Sequence, residues 1–330
     1  MNLDRSCASN LAAEQRGVPV IRLHLAPFKL RSLVAPPWPF AAHARGPLGR
    51  AYLDRWLPRF YAACDGDPRI VGHLNRSRAL FALPPVTSAA HDEGYVAGHV
   101  ALFPDWFCPR APDWPEPLHF AGFPLPRVPR AMPPELAEFV RRQGAPIVFT
   151  AGTGLSDVGT FFEQARGCCE ALALPGVFLS PHLNASARTA AGRLFVADFV
   201  ELGALLPWAR LLVHHGGIGT TARALEAGVP QLVSPMGFDQ PDNAQRVASL
   251  GVARVVERAR ASAASLAAAA RELLADEHVP RALAALRARV QAEDGVERCA
   301  DGVEQALDRA GVARPERGVA TDAKEAHVAS

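Results

Sequence analysis

The chain predicts an α/β fold built on parallel sheet, and three observations carry that expectation. Residues 211–251 read as strand, glycine-rich turn, helix, strand, acid-amide loop and helix. A second apolar run, Pro146-Ile147-Val148-Phe149-Thr150, is followed at once by Ala151-Gly152-Thr153-Gly154. Strand-like and helix-like stretches then alternate from residue 136 to about 310, the pattern of a parallel sheet with crossover helices.

Taken in order, residues 11–16 read as the end of a helix and 18–25 as a strand. Residues 51–83 read as one helical stretch, and two short strands follow near Val100 and Phe120. The 29 prolines crowd residues 27–39 and 104–134. The second crowd excludes a continuous helix or a central strand, so residues 124–134 read as a linker and the Trp and Phe cluster before them as packing. In the main motif, Leu211-Leu212-Val213 is a buried strand with His214 at its end. The turn His215-Gly216-Gly217-Ile218-Gly219 leads into a helix that Thr220 or Thr221 is placed to cap. Gly228 stops that helix, and residues 229–233 form the next strand. The loop Asp239-Gln240-Pro241-Asp242-Asn243 either meets a ligand or caps the helix after it. The Ala-rich residues 262–287 read as outer helices, and beyond Val312 there is little to bury, so a disordered tail is expected.

Composition excludes several classes. Hydrophobic residues make up 49% of the 330, and the formal charge is +2 with arginines interleaved among acids. No basic stripe marks a nucleic-acid binder. The six cysteines have no metal-type spacing, and Cys168-Cys169 read as helical, which points to a reduced, cytoplasmic setting. No apolar run of about 18 residues is present. The opening MNLDRSCASN shows no charged-then-apolar signal pattern.

A strand that ends in a glycine turn and opens a helix aims backbone N–H groups at one point, an anion site. The segment from Leu211 to Gly251 resembles the donor-binding motif of family 1 glycosyltransferases, inverting nucleotide-sugar enzymes of the two-domain GT-B fold. It is most similar to bacterial members acting on lipid, sterol or macrolide acceptors, rhamnosyltransferases among them. The pieces FPDWF and GFPL resemble the family's interdomain region. The resemblance implies that His215, Gly217, Gly219 and Thr220 hold the diphosphate, with Thr153 added from the first strand. It implies that Asp239 and Gln240 bind the hydroxyls of the donor sugar. Phe199 stands where the family stacks an aromatic ring on the base, with Val200 reading the base edge through its backbone; the other reading of Phe199 is a core residue. Arg223 occupies the ribose-binding position, where plant members carry glutamate. Arginine cannot accept those hydroxyl hydrogen bonds, so a dTDP-sugar is as plausible a donor as a UDP-sugar. No cofactor is implied and no metal is required.

The resemblance implies an α/β, GT-B-type architecture with a complete C-terminal Rossmann-like domain and an incomplete N-terminal Rossmann-like domain. The expected boundaries are 1–123 for a partial acceptor-side domain, 124–135 for the linker, 136–310 for the nucleotide-sugar-binding domain and 311–330 for the tail. AAEQRGVPVIRLHLAP resembles the middle of the family's first domain yet lies near Met1, so either an N-terminally truncated chain or a start codon placed too late is expected. The family's catalytic histidine and its aspartate have no counterpart here. His24, His43, His73, His91 and His99 fall outside the motif and read as surface or packing residues, so no catalytic residue is identifiable.

The expected function is transfer of a hexose from a UDP- or dTDP-sugar to a hydroxyl of a hydrophobic acceptor, a small molecule or lipid, with inversion. Peripheral association with the inner membrane face is compatible with such acceptors. The rival is a nucleotide-sugar-binding fragment or auxiliary subunit without catalysis. An epimerase on the same fold is a third, disfavoured by Asp239-Gln240 and the Phe199 segment.

Overall fold

The computed structural model describes residues 7–43, 46–90, 96–126, 131–152, 159–182 and 192–312. The first part of the chain holds α1 (Cys7–Arg16), β1 (Val20–His24), the short α2 (Phe40–His43), α3 (Gly46–Asp65), α4 (Pro68–Leu80), β2 (Val96–Ala101) and β3 (Leu118–Phe120). Its three strands form a parallel sheet in the order β1-β2-β3. The single helical stretch expected over 51–83 is divided in two. Asp67 accepts from the Arg69 N–H as an N-cap and Pro68 takes the first helical position, so a new helix starts there. Arg78, buried in α4, pairs with Glu14 of α1 through two bonds of 2.6 and 2.7 Å and also donates to the Pro84 carbonyl.

The larger part follows: α5 (Pro134–Gln143), β4 (Ile147–Thr150), α6 (Gly159–Leu172), β5 (Gly176–Leu179), β6 (Leu194–Ala197), α7 (Leu202–Leu205), β7 (Leu211–His214), α8 (Ile218–Ala227), β8 (Gln231–Val233), α9 (Gln240–Ser249), β9 (Ala253–Val255), α10 (Ala263–Ala275), α11 (His278–Ala292) and α12 (Gly295–Arg309). Its six strands are all parallel, in the order β6-β5-β4-β7-β8-β9. Helices cover both faces. That is why Ile147-Val148-Phe149, Val177-Phe178 and Leu211-Leu212-Val213 are apolar without alternation and fully buried. Cys168 and Cys169 lie buried in α6, where burial pushes their thiols up to about 11 and 12.

Chain order and spatial order part company at the C-terminus. α12, which sequence groups with the second part, packs on β2 and β3 of the first sheet. Small residues permit the approach. A Cβ on Gly98 would lie 2.8 Å from that of Ala306, and one on Gly302 would lie 2.6 Å from the His119 ring. At the start of α12, a Cβ on Gly295 would stand 2.1 Å from the Phe123 carbonyl oxygen. Backbone cannot yield cheaply, so Gly295→Val is expected to lift the N-terminus of α12 and cost about 1–3 kcal/mol. Urea unfolding checks this, and wild-type stability in the variant contradicts it. The expected tail falls outside the described residues, apart from Gly311 and Val312.

Candidate nucleotide-sugar site

The strand order of the larger sheet reverses between β4 and β7, the first and fourth strands of that sheet in chain order. Ligands of open α/β sheets bind at such a switch point, in the crevice beyond the C-terminal strand ends. Both sequence-predicted glycine turns open there. Thr150 ends β4 and leads to Gly152, while His214 ends β7 and leads to Gly217. The neighbouring Thr153 lies outside the described residues.

His214 is buried completely and anchors the β7 turn. Its Nδ1 accepts from the Gly216 N–H at 3.1 Å, which leaves Nε2–H to donate to Gln231 Oε1 at 3.0 Å. Burial holds its pKa down to about 3, so the ring is neutral. His215 points differently. Its ring lies against two glycines: a Cβ on Gly152 would be 2.7 Å from the His215 Cε1, and one on Gly217 would be 2.6 Å from Nε2. Gly152 also has a φ of +72°, so two independent demands select glycine there. Burial lowers the His215 pKa, with the Thr150 carbonyl and the Asp239 carboxylate acting the other way. Its Nδ1 is buried with no partner in hydrogen-bonding geometry.

The helix start differs from expectation. Gly217, in extended conformation, is the N-cap of α8, and no side chain caps it. Thr220 and Thr221 lie inside the first turn. Thr221 is buried, and its hydroxyl donates back to the Gly217 carbonyl at 3.1 Å. The glycine allows the chain to enter the helix three residues sooner than a threonine cap would. The first N–H groups of a helix have no intrahelical acceptor, so here they stand uncapped at the crevice. Around Gly219 an added Cβ would meet nothing within 4 Å, so packing does not demand that glycine.

Asp239 and Gln240 open α9 across the crevice. Asp239 takes the N-cap position without capping through its side chain. Instead its Oδ2 accepts from Asn243 Nδ2 at 2.8 Å, and the same amide donates to the Gly216 carbonyl at 3.0 Å. Asn243 thus ties the acid to the β7 turn. Gln240 Oε1 accepts from the N–H groups of Met236 and Gly237. Sequence reasoning read Asn243 only as a possible cap of the next helix, which in fact begins at Gln240, and it missed Phe238. The latter is 89% exposed with a φ of +58°, rare for an aromatic residue. Neither has a local signal, since both depend on where the next loop lies.

Phe199 follows β6 and is 72% exposed, which rules out the core reading, whereas Val200 is buried. Glu201 caps α7 by accepting from the Gly203 N–H. Arg223 is committed to the protein: it pairs with Glu226 at 2.7 Å, lies 3.7 Å from Glu201 and donates to the Pro126 carbonyl. From the first part of the chain, Trp38 N–H donates to Asp242 Oδ1 at 2.8 Å, which brings the loop after β1 onto α9. His24 and His99 share a 2.9 Å hydrogen bond between stacked rings, and burial, then the charge of His99, holds His24 down to about 3. The side chain of His43 and all of His91 lie outside the described residues. Among the described residues no group of three or more His, Cys, Asp or Glu is placed to hold a metal ion, and no helix is long and apolar enough to cross a membrane.

Comparison with known proteins bears on this geometry. Residues 182–307 match the family model described as "Erythromycin biosynthesis protein CIII-like, C-terminal domain". The O-mycaminosyltylonolide 6-deoxyallosyltransferase of Streptomyces fradiae is 32% identical over 234 residues, which is 68% of this chain and 54% of that protein. The chain therefore spans about half the length of this relative. The crystal structure of the glycotransferase of kitacinnamycin is similar with a TM-score of 0.64 at 26% identity, over 91% of this chain and 73% of the other. The spinosyn rhamnosyltransferase SpnG, solved with thymidine diphosphate, shares the fold with a TM-score of 0.61 at 16% identity, over 91% and 70%.

Proposed function

The chain belongs to the family 1 nucleotide-sugar glycosyltransferases of GT-B fold, and on that premise we propose that its switch-point crevice binds a UDP- or dTDP-sugar. The whole protein transfers the hexose, with inversion, to a hydroxyl of a hydrophobic acceptor. The observation that carries this reading is the His215 ring lying against Gly152 and Gly217 beside an uncapped helix N-terminus. Such a site meets the charge that builds on a departing diphosphate with donors already in place. Gly217, Gly219 and Thr220 contribute backbone and hydroxyl donors there.

The sugar lies toward Asp239 and Gln240. The Gln240 carbonyl is taken up by the loop, and one Asp239 oxygen by Asn243. Their remaining groups, amide N–H donors and a carboxylate acceptor, suit vicinal hydroxyls. Phe199, exposed beside buried Val200, is available to stack on the base. Arg223 is held by Glu226 and the Pro126 carbonyl. It therefore leaves ribose recognition undemanding, which suits a deoxyribose donor as well as a ribose one. Binding the donor needs no metal in this design. The domain limits that follow are an acceptor-side part to residue 123 and a donor-side part from 136, joined again by α12.

One observation favours a second reading, donor binding without transfer. A general base must accept the acceptor's proton near neutral pH. His24, at the end of β1, is bonded to His99 and held far below that range.

Calorimetric titration with UDP and dTDP tests the proposal. His215→Ala is expected to weaken binding by about 1–3 kcal/mol, the usual loss for a hydrogen bond to a charged group. Asp239→Ala is expected to spare the nucleotide and weaken the nucleotide sugar. A folded chain that binds neither nucleotide overturns the reading.

A further inference from the structure

The diphosphate assigned to the crevice carries at least two negative charges, and the residues named so far meet it with neutral donors. Burial keeps the His215 imidazole below its ordinary pKa. The threonines and backbone amides carry no formal charge, and Arg223 is spent on Glu226. A dianion in a partly enclosed crevice calls for a cation.

Beside His215 lies a cavity of about 110 Å³. Ala151 at the end of β4, Thr160 and Gln164 of α6, Ser234 after β8 and Arg258 after β9 line it together with His215. Arg258 belongs to a short 3₁₀ turn, Arg258–Arg260, whose exit is held at two successive points. Gln164 Nε2 donates to the Ala261 carbonyl at 2.9 Å, which pins the turn's exit to α6. Ser262 and Ser265 then form a reciprocal capping box that starts α10. The neighbouring arginines are occupied: Arg254 pairs with Glu272 and Asp276, and Arg260 faces Glu257 at 3.7 Å. Among the described residues no carboxylate pairs with Arg258.

The geometry points to Arg258 as the cationic ligand of the nucleotide diphosphate, a binding residue contributed by the β9 turn and not by the glycine motifs. This rests on the reading of the crevice given above. The guanidinium offers paired N–H donors to phosphate oxygens.

The test is calorimetry with UDP, dTDP, uridine and thymidine on the wild-type chain and on Arg258→Ala, Arg258→Lys and Arg260→Ala. Arg258→Ala is expected to weaken the diphosphates about tenfold or more and to leave the nucleosides unchanged. Its diphosphate affinity is also expected to depend less on salt. Arg258→Lys should keep part of the affinity, because the charge remains while the two-pronged geometry is lost. Arg260→Ala should bind as wild type. Diphosphate affinity untouched by Arg258→Ala overturns the assignment of Arg258 alone. Equal losses for nucleoside and diphosphate overturn it too, because they indicate a structural effect. A folded wild-type chain that binds neither diphosphate overturns this inference and the parent reading together.

Discussion

Acidification from pH 6.5 toward 3 is expected to destabilise the fold by up to about 1.4 kcal/mol per pH unit for each buried neutral histidine. His214 and His24, both held down to about 3, are the groups concerned. Above pH 6.5 neither the folded nor the unfolded state protonates them, so stability is flat. Below it the unfolded chain takes up protons that the folded chain refuses, and unfolding is favoured until the folded pKa is reached. The cause at His214 is local and specific. Its Nδ1 already accepts the Gly216 N–H and its Nε2 faces Gln231 Oε1. A second ring proton would point at a donor. Urea midpoints measured across this pH range should show a slope that His214→Asn reduces by one proton. An unchanged slope in the variant contradicts the assignment.

Loss of Asn243 is expected to act on stability and donor binding together. This fully buried amide bonds the Gly216 carbonyl and the Asp239 carboxylate at once. Asn243→Leu leaves a buried carbonyl without its donor, at about 1–3 kcal/mol. It also frees Asp239 from the position in which it faces His215. Urea unfolding should register the first effect. Titration with a nucleotide sugar should register the second, as a loss at least as large as that from Asp239→Ala. Full stability with wild-type sugar binding contradicts the coupling.

The glycine turns and strand ends of the crevice were legible because their geometry is local. A strand must end, turn on glycine and open a helix within a few residues, and the strand end at His214 and the Gly228 stop lie where the pattern puts them, whereas the next helix starts at Gln240, earlier than a cap at Asn243 would place it. The threonine cap was misread for the same local reason. Threonine is a strong cap by type, yet glycine in extended conformation starts the helix earlier and leaves its N–H groups to the crevice. Arg223 shows the opposite case. Its residue type excluded a ribose acceptor, but its commitment to Glu226 and the Pro126 carbonyl needed partners 3 and 97 residues away.

By itself the sequence determined the α/β class, the strand and helix periods, the two glycine turns and the residue types able to meet a diphosphate and a sugar. These depend on side-chain period and backbone freedom, both written within a window of a few residues. Tertiary structure decided that the β4 and β7 turns face each other at the switch point and that Gly152 exists to admit the His215 ring. It also decided that Asn243 joins two loops, that Arg258 reaches the same cavity from β9, and that α12 returns to the first sheet. Each of those depends on packing between segments far apart in the chain, and no local pattern carries that information.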